Sequence, residues 1–247
     1  MRLFIPCYVD QLAPQVAQAL VQLLERLGIG WSYPTDQTCC GQVAYNAGDW
    51  PGARRLMRHF LEVFHDQGLI LCPGTACVRL IRRHYPRLAQ TPGEAVAVRR
   101  LAAQVLDVGE YLSARLPLPL SLEWPGRVFL HQSCSARELQ LLPQLQQLLR
   151  SVPGLELATL PAAYACCGFG GLFAVKESEL SQIIGWRYLQ AVLATGSQVL
   201  VSPDVGCLLH LQGFAAAQGI SLPMLHVSEF LHQAAAGATG RGALTFL

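Results

Sequence analysis

The sequence predicts an α/β protein formed by internal duplication: two Rossmann-like lobes, each with a parallel sheet covered by helices and a metal site at the carboxyl ends of its strands. Three observations lead to this fold class. Short apolar segments typical of buried strands alternate with helical periodicity along the 247 residues. The tripeptide Cys-Cys-Gly occurs twice, at 39–41 and 166–168. The segment 106–112 (LDVGEYL) also matches 225–231 (LHVSEFL), so the repeat extends beyond the cysteines.

The elements of the first half follow from apolar periodicity and from the positions of glycine and proline. Gly28 is expected to end the first long helix, Pro51 to lie in the first turn of the next, and Pro86 to end the helix around Cys77. The predicted strands are 2–8, 29–33 and 69–71, and the predicted helices begin near residues 10, 51 and 77.

The second half repeats this order. Pro143 is expected to kink or break the helix in which it lies, and Gly196 to end the long helix after the second Cys-Cys-Gly. The predicted strands are 127–130, 155–160 and 198–201, and the predicted helices are 136–149, a long segment ending near 194, and one that begins within 204–207.

The duplication also predicts the domain boundaries. The first lobe is expected to span 1–115 and the second 127–235. The linker 116–126 contains Pro117, Pro119 and Pro125 and has little periodicity. The small, glycine-rich segment 236–247 is expected to be a poorly ordered tail.

Composition excludes some functions. A net charge of +2 offers no strong field to nucleic acid. No run of about 18 uncharged apolar residues is present, so we expect no membrane span and a cytoplasmic location. Reducing conditions there argue against a disulfide framework for the nine cysteines. Apolar residues make up 52 %, which fits either a well-filled core or a surface covered by a partner subunit.

Eight cysteines fall into two sets with nearly the same spacing, C-x31-CCG-x35/38-C. Each set is expected to converge, because loops at the carboxyl ends of parallel strands share one edge of the sheet and helix N-termini there favour thiolates. The first set is Cys7, Cys39, Cys40 and Cys77, and the second is Cys134, Cys166, Cys167 and Cys207.

Four thiolates per lobe are compatible with three kinds of chemistry. They can hold an iron–sulfur cluster, hold a structural zinc ion, or act as redox-active thiols without metal. Structural zinc sites usually use short C-x2–4-C knuckles, which the long gaps here do not resemble. No nucleophile elbow, phosphate-binding loop or H-E-x-x-H motif is present, and no catalytic residue can be assigned.

Seven short motifs give the chain a resemblance to a known family, over about residues 1–232. These are 7–10 (CYVD), 39–42 (CCGQ), 73–77 (PGTAC), 131–135 (HQSCS), 166–171 (CCGFGG), 204–209 (DVGCLL) and 226–229 (HVSE). With them the chain resembles the CCG cysteine-rich-domain iron–sulfur proteins, most closely the lactate utilisation protein A family. It is also similar to the cysteine-rich subunit of heterodisulfide reductase and to glycolate oxidase iron–sulfur subunits.

The resemblance implies an iron–sulfur electron-transfer subunit of a multi-subunit complex that oxidises L-lactate, a 2-hydroxy acid. Such a subunit belongs to an oxidoreductase but is not catalytic alone. The implied cofactor is one or two iron–sulfur clusters per chain, of the 4Fe–4S type. The implied partners are a ferredoxin-like iron–sulfur subunit and a further small subunit, through which the protein could lie at the membrane periphery. A thiol–disulfide enzyme of the heterodisulfide type and a zinc-stabilised scaffold remain the alternatives.

The chain departs from the heterodisulfide reductase pattern, which ends in C-x-x-C. Gly74 and Asp204 stand where the first of those closing cysteines would be. Asp204 could supply an oxygen ligand and glycine cannot, so the second site looks the more complete. Cys72 lies outside both sets and is expected to be a buried thiol. His131 and His226 flank the sites and are expected to hydrogen-bond a cluster sulfide or to cap a helix.

Overall fold

The computed structural model describes residues 1–65, 68–115, 123–161 and 166–236. The first lobe contains three short strands and eight helices in the described ranges. In chain order they are β1 (Arg2–Leu3), α1 (Cys7–Leu12), α2 (Pro14–Arg26), α3 (Gln42–Ala47), α4 (Trp50–Val63), β2 (Ile70–Cys72), α5 (Thr75–Arg79) followed by a π-helical turn (Leu80–His84), α6 (Tyr85–Leu88), α7 (Pro92–Ala102), β3 (Val105–Asp107) and α8 (Val108–Arg115).

The described part of the second lobe repeats the scheme with four strands and six helices. In order they are β4 (Gly126–Leu130), α9 (Cys134–Glu138), α10 (Leu142–Arg150), β5 (Leu155–Ala158), α11 (Leu172–Lys176), α12 (Ser178–Ala194), β6 (Val199–Ser202), α13 (Val205–Ala217), β7 (Met224–His226) and α14 (Val227–Ala236).

Each lobe has its own parallel sheet, with strand orders β1-β2-β3 and β5-β4-β6-β7. Strands β1, β2 and β3 correspond to β4, β6 and β7. In the second sheet the chain turns from one direction of winding to the other between β4 and β6, and ligands of such sheets bind at that point beyond the strand ends. The predicted α/β class, with two parallel sheets covered by helices, is confirmed.

Several local predictions were wrong. Residues 29–33 form only an isolated bridge, Arg2 to Ser32, because Pro34 cuts the segment short and its side chains face solvent. The helix predicted over 136–149 is two helices, and Pro143 lies in the first turn of the second, where a missing N–H is tolerated. Pro86 likewise begins α6 and does not end the helix. Helix α7 was not predicted.

The two lobes pack against each other reciprocally. The last helix of each lobe lies on the first long helix of the other, so that α14 packs on α2 and α8 on α10. The contact between α8 and α10 is close, because a Cβ on Gly109 would lie 2.2 Å from Leu145 Cδ2. One apolar core therefore runs through both lobes.

Along the chain, the predicted boundary between the lobes falls between the strands of the first sheet and those of the second. The exact limits of the two lobes stay a prediction. Of the predicted linker and tail, residues 116–122 and 237–247 lie outside the described residues. None of the helices in the described ranges has the length and apolar character needed to cross a membrane.

Candidate functional site

In the first lobe, four cysteines from three segments meet beyond the ends of β1 and β2. Cys7 opens α1, and its sulfur lies 3.7 Å from that of Cys39. Cys40 lies beside Cys77 of α5, with 3.1 Å between the two sulfurs. The Cys39 and Cys40 side chains also hydrogen-bond to each other. The structure thus brings all four predicted first-lobe residues into one cluster.

Among Cys7, Cys39 and Cys40, the thiol of Cys39 ionises most readily. Hydrogen bonds from the Cys40 and Cys7 thiols lower the pKa of Cys39 to about 2. The pKa values of Cys7 and Cys40 are raised, first by their hydrogen bonds to Cys39 and further by burial. Proximity to Cys39 therefore disfavours ionisation of Cys7 and Cys40. A bound cation would replace the thiol protons, because a coordinating thiol is deprotonated.

In the second lobe, a histidine joins the cysteines. The ligand atoms of His131, Cys167 and Cys207 all lie within 4.8 Å of one another, and the three residues are buried. Cys134 opens α9 and is exposed, as is Cys166. Both are close enough for their charges to raise the pKa of Cys207. The predicted second-lobe cysteines therefore surround one site, with two on its buried side and two towards solvent.

The electrostatics of this second site also disfavour several free thiolates at once. The Cys167 thiol lowers the pKa of Cys207, but burial and the charge of Asp204 more than offset it, and the pKa rises to about 11. Burial, followed by the charges of Asp204 and Cys166, raises the pKa of Cys134. As in the first lobe, a cation at the centre would reverse this balance.

The two Cys-Cys-Gly loops have the same backbone geometry. Gly41 and Gly168 adopt φ values of +90° and +87°, a left-handed conformation that favours glycine. Each donates its N–H to the sulfur of the first cysteine in its loop, Cys39 or Cys166, at 3.3 Å. A Cβ on Gly168 would also lie 2.5 Å from the Ser181 carbonyl oxygen. The glycines thus allow the turn and place an N–H on a thiol sulfur.

Asp204 caps the helix that carries Cys207. Its carboxylate accepts a hydrogen bond from Gly206 N at 3.2 Å and another from the backbone of Ala76 in the first lobe. In the first lobe the corresponding residue is Gly74, where a Cβ would lie 2.7 Å from Pro6 Cγ. The first lobe therefore has no space for a carboxylate at this position, and the role of Asp204 as an extra ligand stays a prediction.

Both sites face one cleft between the lobes. Cys77, Cys134 and Cys207 line it, and its volume is about 120 Å³. Arg79 forms part of the wall and pairs across the lobe boundary with Glu138 at 2.9 Å. The two thiol clusters are therefore neighbours and not sites at opposite ends of the molecule.

The remaining flanking residues have structural contacts. Cys72 is buried and donates to the Gly74 carbonyl at 3.6 Å. His226 Nδ1 accepts the backbone N–H of Ser228 at 3.1 Å at the start of α14, and its Nε2 donates to the Pro203 carbonyl at 3.2 Å. His226 thus connects the start of α14 to the Pro203 backbone within the second lobe.

Sequence reasoning missed two tyrosines that support the sites. Tyr85 is buried and donates its hydroxyl to the Cys40 carbonyl at 2.7 Å. Tyr188 is buried and hydrogen-bonds to His131 Nδ1. Their helical spacing is that of ordinary core residues. His131 itself was among the flanking residues predicted from the sequence, and the equivalent position three residues before Cys7 is Phe4.

Comparison with known proteins identifies the family. The model of the cysteine-rich domain family CCG matches residues 1–79 and 128–212. Lactate utilization protein A of Bacillus subtilis is 33 % identical over 233 residues, covering 93 % of this chain and 98 % of that protein. The protein of the same name from Geobacillus thermodenitrificans is also 33 % identical over 233 residues, covering 93 % and 97 %.

A structural relative supports the fold. The crystal structure of a hypothetical protein from Helicobacter pylori superposes with a TM-score of 0.60 at 12 % identity, covering 94 % of this chain. The match spans about half, 48 %, of that longer chain. The two segments matched by the family model and the relatives at 33 % identity show that the chain belongs to the CCG cysteine-rich domain family and is a relative of the lactate utilization protein A proteins.

Proposed function

We propose that this protein is an iron–sulfur electron-transfer subunit of a cytoplasmic complex that oxidises L-lactate. The observation that carries the proposal is the gathering of free thiols far apart in sequence. In the first lobe, the Cys7–Cys39 and Cys40–Cys77 pairs lie at 3.7 and 3.1 Å. Four of the eight sulfurs are buried, and ionised thiolates at such positions are unfavourable unless a metal centre neutralises them.

The donor set fits such a centre. Thiolates are the ligands of iron–sulfur clusters, and each lobe offers four of them on one sheet edge. The residues that would hold the clusters are Cys7, Cys39, Cys40 and Cys77 in the first lobe and Cys134, Cys166, Cys167 and Cys207 in the second, with Asp204 as a possible oxygen donor. A bound 4Fe–4S cluster supplies reversible one-electron transfer.

The chain's own groups would set the electronic properties of each centre. The Gly41 and Gly168 N–H groups donate to Cys39 and Cys166, and such hydrogen bonds withdraw charge from thiolate sulfur. Burial of Cys40 removes water from one side of the first site. The exposed cysteines of the second site leave it accessible to an electron donor or acceptor.

The role in lactate oxidation is proposed from the relatives, whose name refers to lactate utilization. The proposed partners are a ferredoxin-like iron–sulfur subunit and a further small subunit. Two apolar side chains near the Cys-Cys-Gly loops are exposed, which is compatible with a partner subunit covering this surface. Val43 on α3 is 49 % exposed and Val175 on α11 is 77 % exposed. These two helices contact each other, and Val43 lines the cleft.

Iron and acid-labile sulfide assays after anaerobic purification, with EPR, test the cofactor. Cys40→Ser and Cys167→Ser remove one buried thiol from each lobe and should each lower iron content. Cys72→Ala removes a buried thiol outside the repeat and should not. Absence of both iron and sulfide after reconstitution would refute the cluster, and zinc at one or two equivalents would support a scaffold instead.

A growth test addresses the pathway. A strain carrying Cys166→Ser should grow poorly on L-lactate and normally on other carbon sources, while a Cys72→Ala strain should grow on both. Normal L-lactate-dependent growth of the Cys166→Ser strain would count against the assignment even if the purified protein holds a cluster.

Thiol–disulfide chemistry is the second candidate, and the short Cys40–Cys77 separation of 3.1 Å favours it. A disulfide-forming pair would change the number of free thiols when metal-free protein is oxidised and reduced. Thiols bound in a cluster do not cycle in this way. Titration of free thiols in metal-free and reconstituted protein therefore separates the two functions.

A further inference from the structure

His131 is the clearest difference between the two halves. It is 1 % exposed, and its Nε2 atom has no hydrogen-bond partner among the described residues. A ring nitrogen of His131 lies within 4.8 Å of the Cys167 and Cys207 sulfurs, in a group whose members are all buried. A buried imidazole nitrogen without a partner is unfavourable, and a bound ion at this atom would remove that cost.

The other ring nitrogen of His131, Nδ1, does have a partner. The Tyr188 hydroxyl lies within hydrogen-bond distance of His131 Nδ1. The two rings pack edge to face with centroids 5.1 Å apart, and Tyr188 is itself buried on α12. Engagement of one ring nitrogen by a neighbour is the usual way in which a metal-binding histidine is oriented.

The first lobe provides an internal comparison. Phe4 precedes Cys7 by three residues, as His131 precedes Cys134. Phe4 packs edge to face on Phe60 of α4, with centroids 4.9 Å apart and an interplanar angle of 88°. The fold is thus satisfied by an apolar aromatic pair at this place. The second lobe carries a histidine–tyrosine pair instead, which packing alone does not require.

We propose that His131 Nε2 is a metal ligand of the second-lobe site, alongside Cys167 and Cys207. The two lobes would then bind their metal centres with different donors: thiolates alone in the first, thiolates and an imidazole in the second. The identity of the metal centre rests on the proposed function. Imidazole is neutral where thiolate is anionic, so a centre bound through His131 would have a higher reduction potential than the same centre bound through a cysteine at that position.

Pulsed EPR on reduced, reconstituted protein labelled with 15N-histidine tests the ligand. We expect a strong nitrogen hyperfine coupling in the wild type, of the size found for directly coordinated imidazole. His131→Phe, which reproduces the first-lobe residue, should abolish it. His131→Cys should retain a metal centre and shift one midpoint potential to a more negative value. Tyr188→Phe, which affects only the positioning of the ring, should alter the coupling without abolishing it.

Two results would overturn the inference. One is wild-type protein with iron and sulfide but without strong nitrogen coupling, and a weak coupling typical of a hydrogen bond counts as this result. The other is a strong coupling that persists in His131→Phe. The wild-type spectrum needs no variant, so misfolding cannot obscure the answer.

If the wild type binds no iron or sulfide, the proposed function fails separately. Cobalt(II) titration of the same proteins then tests the ligand alone. We expect the ligand-field spectrum of the second-lobe site to change in His131→Phe, and an unchanged spectrum would overturn the inference.

Discussion

Asp107 offers a quantitative test of the lobe contact. It ends β3, is 1 % exposed, and accepts a hydrogen bond from Gly109 N at 2.8 Å. Thr75 Oγ1 lies 2.8 Å from both Asp107 Oδ2 and the Pro203 carbonyl in the other lobe. A hydroxyl has one proton and cannot donate to both. A protonated Asp107 can donate to Thr75, which then donates to Pro203, so the neutral carboxyl satisfies the whole chain.

The magnitude follows from the pKa. Burial raises the pKa of Asp107 from 3.8 to about 6, although the hydrogen bonds from Thr75 and Gly109 lower it. A raised pKa in the folded state means that the stabilisation is fully present below about pH 3.8 and is lost as the pH rises through about 6. The shift of about 2 pH units corresponds to about 3 kcal/mol of unfolding free energy.

Asp107→Asn replaces the carboxyl with a neutral amide that can still accept from Gly109 and donate to Thr75. We expect the variant to match the wild type near pH 4 and to exceed it by about 3 kcal/mol above about pH 7. Urea unfolding of the metal-free proteins across this pH range measures the difference in unfolding free energy between the variant and the wild type. The titration of buried histidines is common to both proteins and cancels in this difference. Asp36→Asn, at an exposed residue, is the control and should change stability by less than about 0.5 kcal/mol.

A constant difference between Asp107→Asn and the wild type from about pH 4 to 8 would refute the reasoning. It would mean that the Asp107 carboxyl ionises equally readily in the folded and unfolded states. A loss of stability in Asp107→Asn at all pH values would instead show that the amide cannot replace the carboxyl in the contact with Thr75.

Two further predictions concern the loops and their support. Gly168→Ala should destabilise the protein more than Gly41→Ala. Both variants place alanine in a left-handed conformation, which costs about 1 to 2 kcal/mol of unfolding free energy. Only Gly168→Ala also places a Cβ 2.5 Å from the Ser181 carbonyl oxygen. Equal unfolding midpoints in urea would contradict this. Tyr85→Phe should cost about 1 to 2 kcal/mol, because the buried Cys40 carbonyl loses its 2.7 Å donor; an unchanged unfolding free energy would contradict it.

Much of the fold could be predicted from the sequence, because local patterns encode it. Buried strands such as β2 and β6 appear in the sequence as short apolar segments, and the repeated cysteine spacing indicates the duplication. The prediction failed at 29–33, where an apolar segment does not form a full strand. Strand formation depends on pairing with a neighbour, and only Ser32 reaches β1.

The candidate site was likewise predicted in part from the sequence. The repeated spacing assigns each cysteine to its set, and the predicted strands place each set at the carboxyl ends of a parallel sheet. The folded structure adds that both sets face one cleft, that a ring nitrogen of His131 lies within 4.8 Å of the Cys167 and Cys207 sulfurs, and that Tyr188 hydrogen-bonds to this ring. Those relations depend on how α12 packs on its sheet and how the lobes dock, and both are set by contacts between residues far apart in the chain.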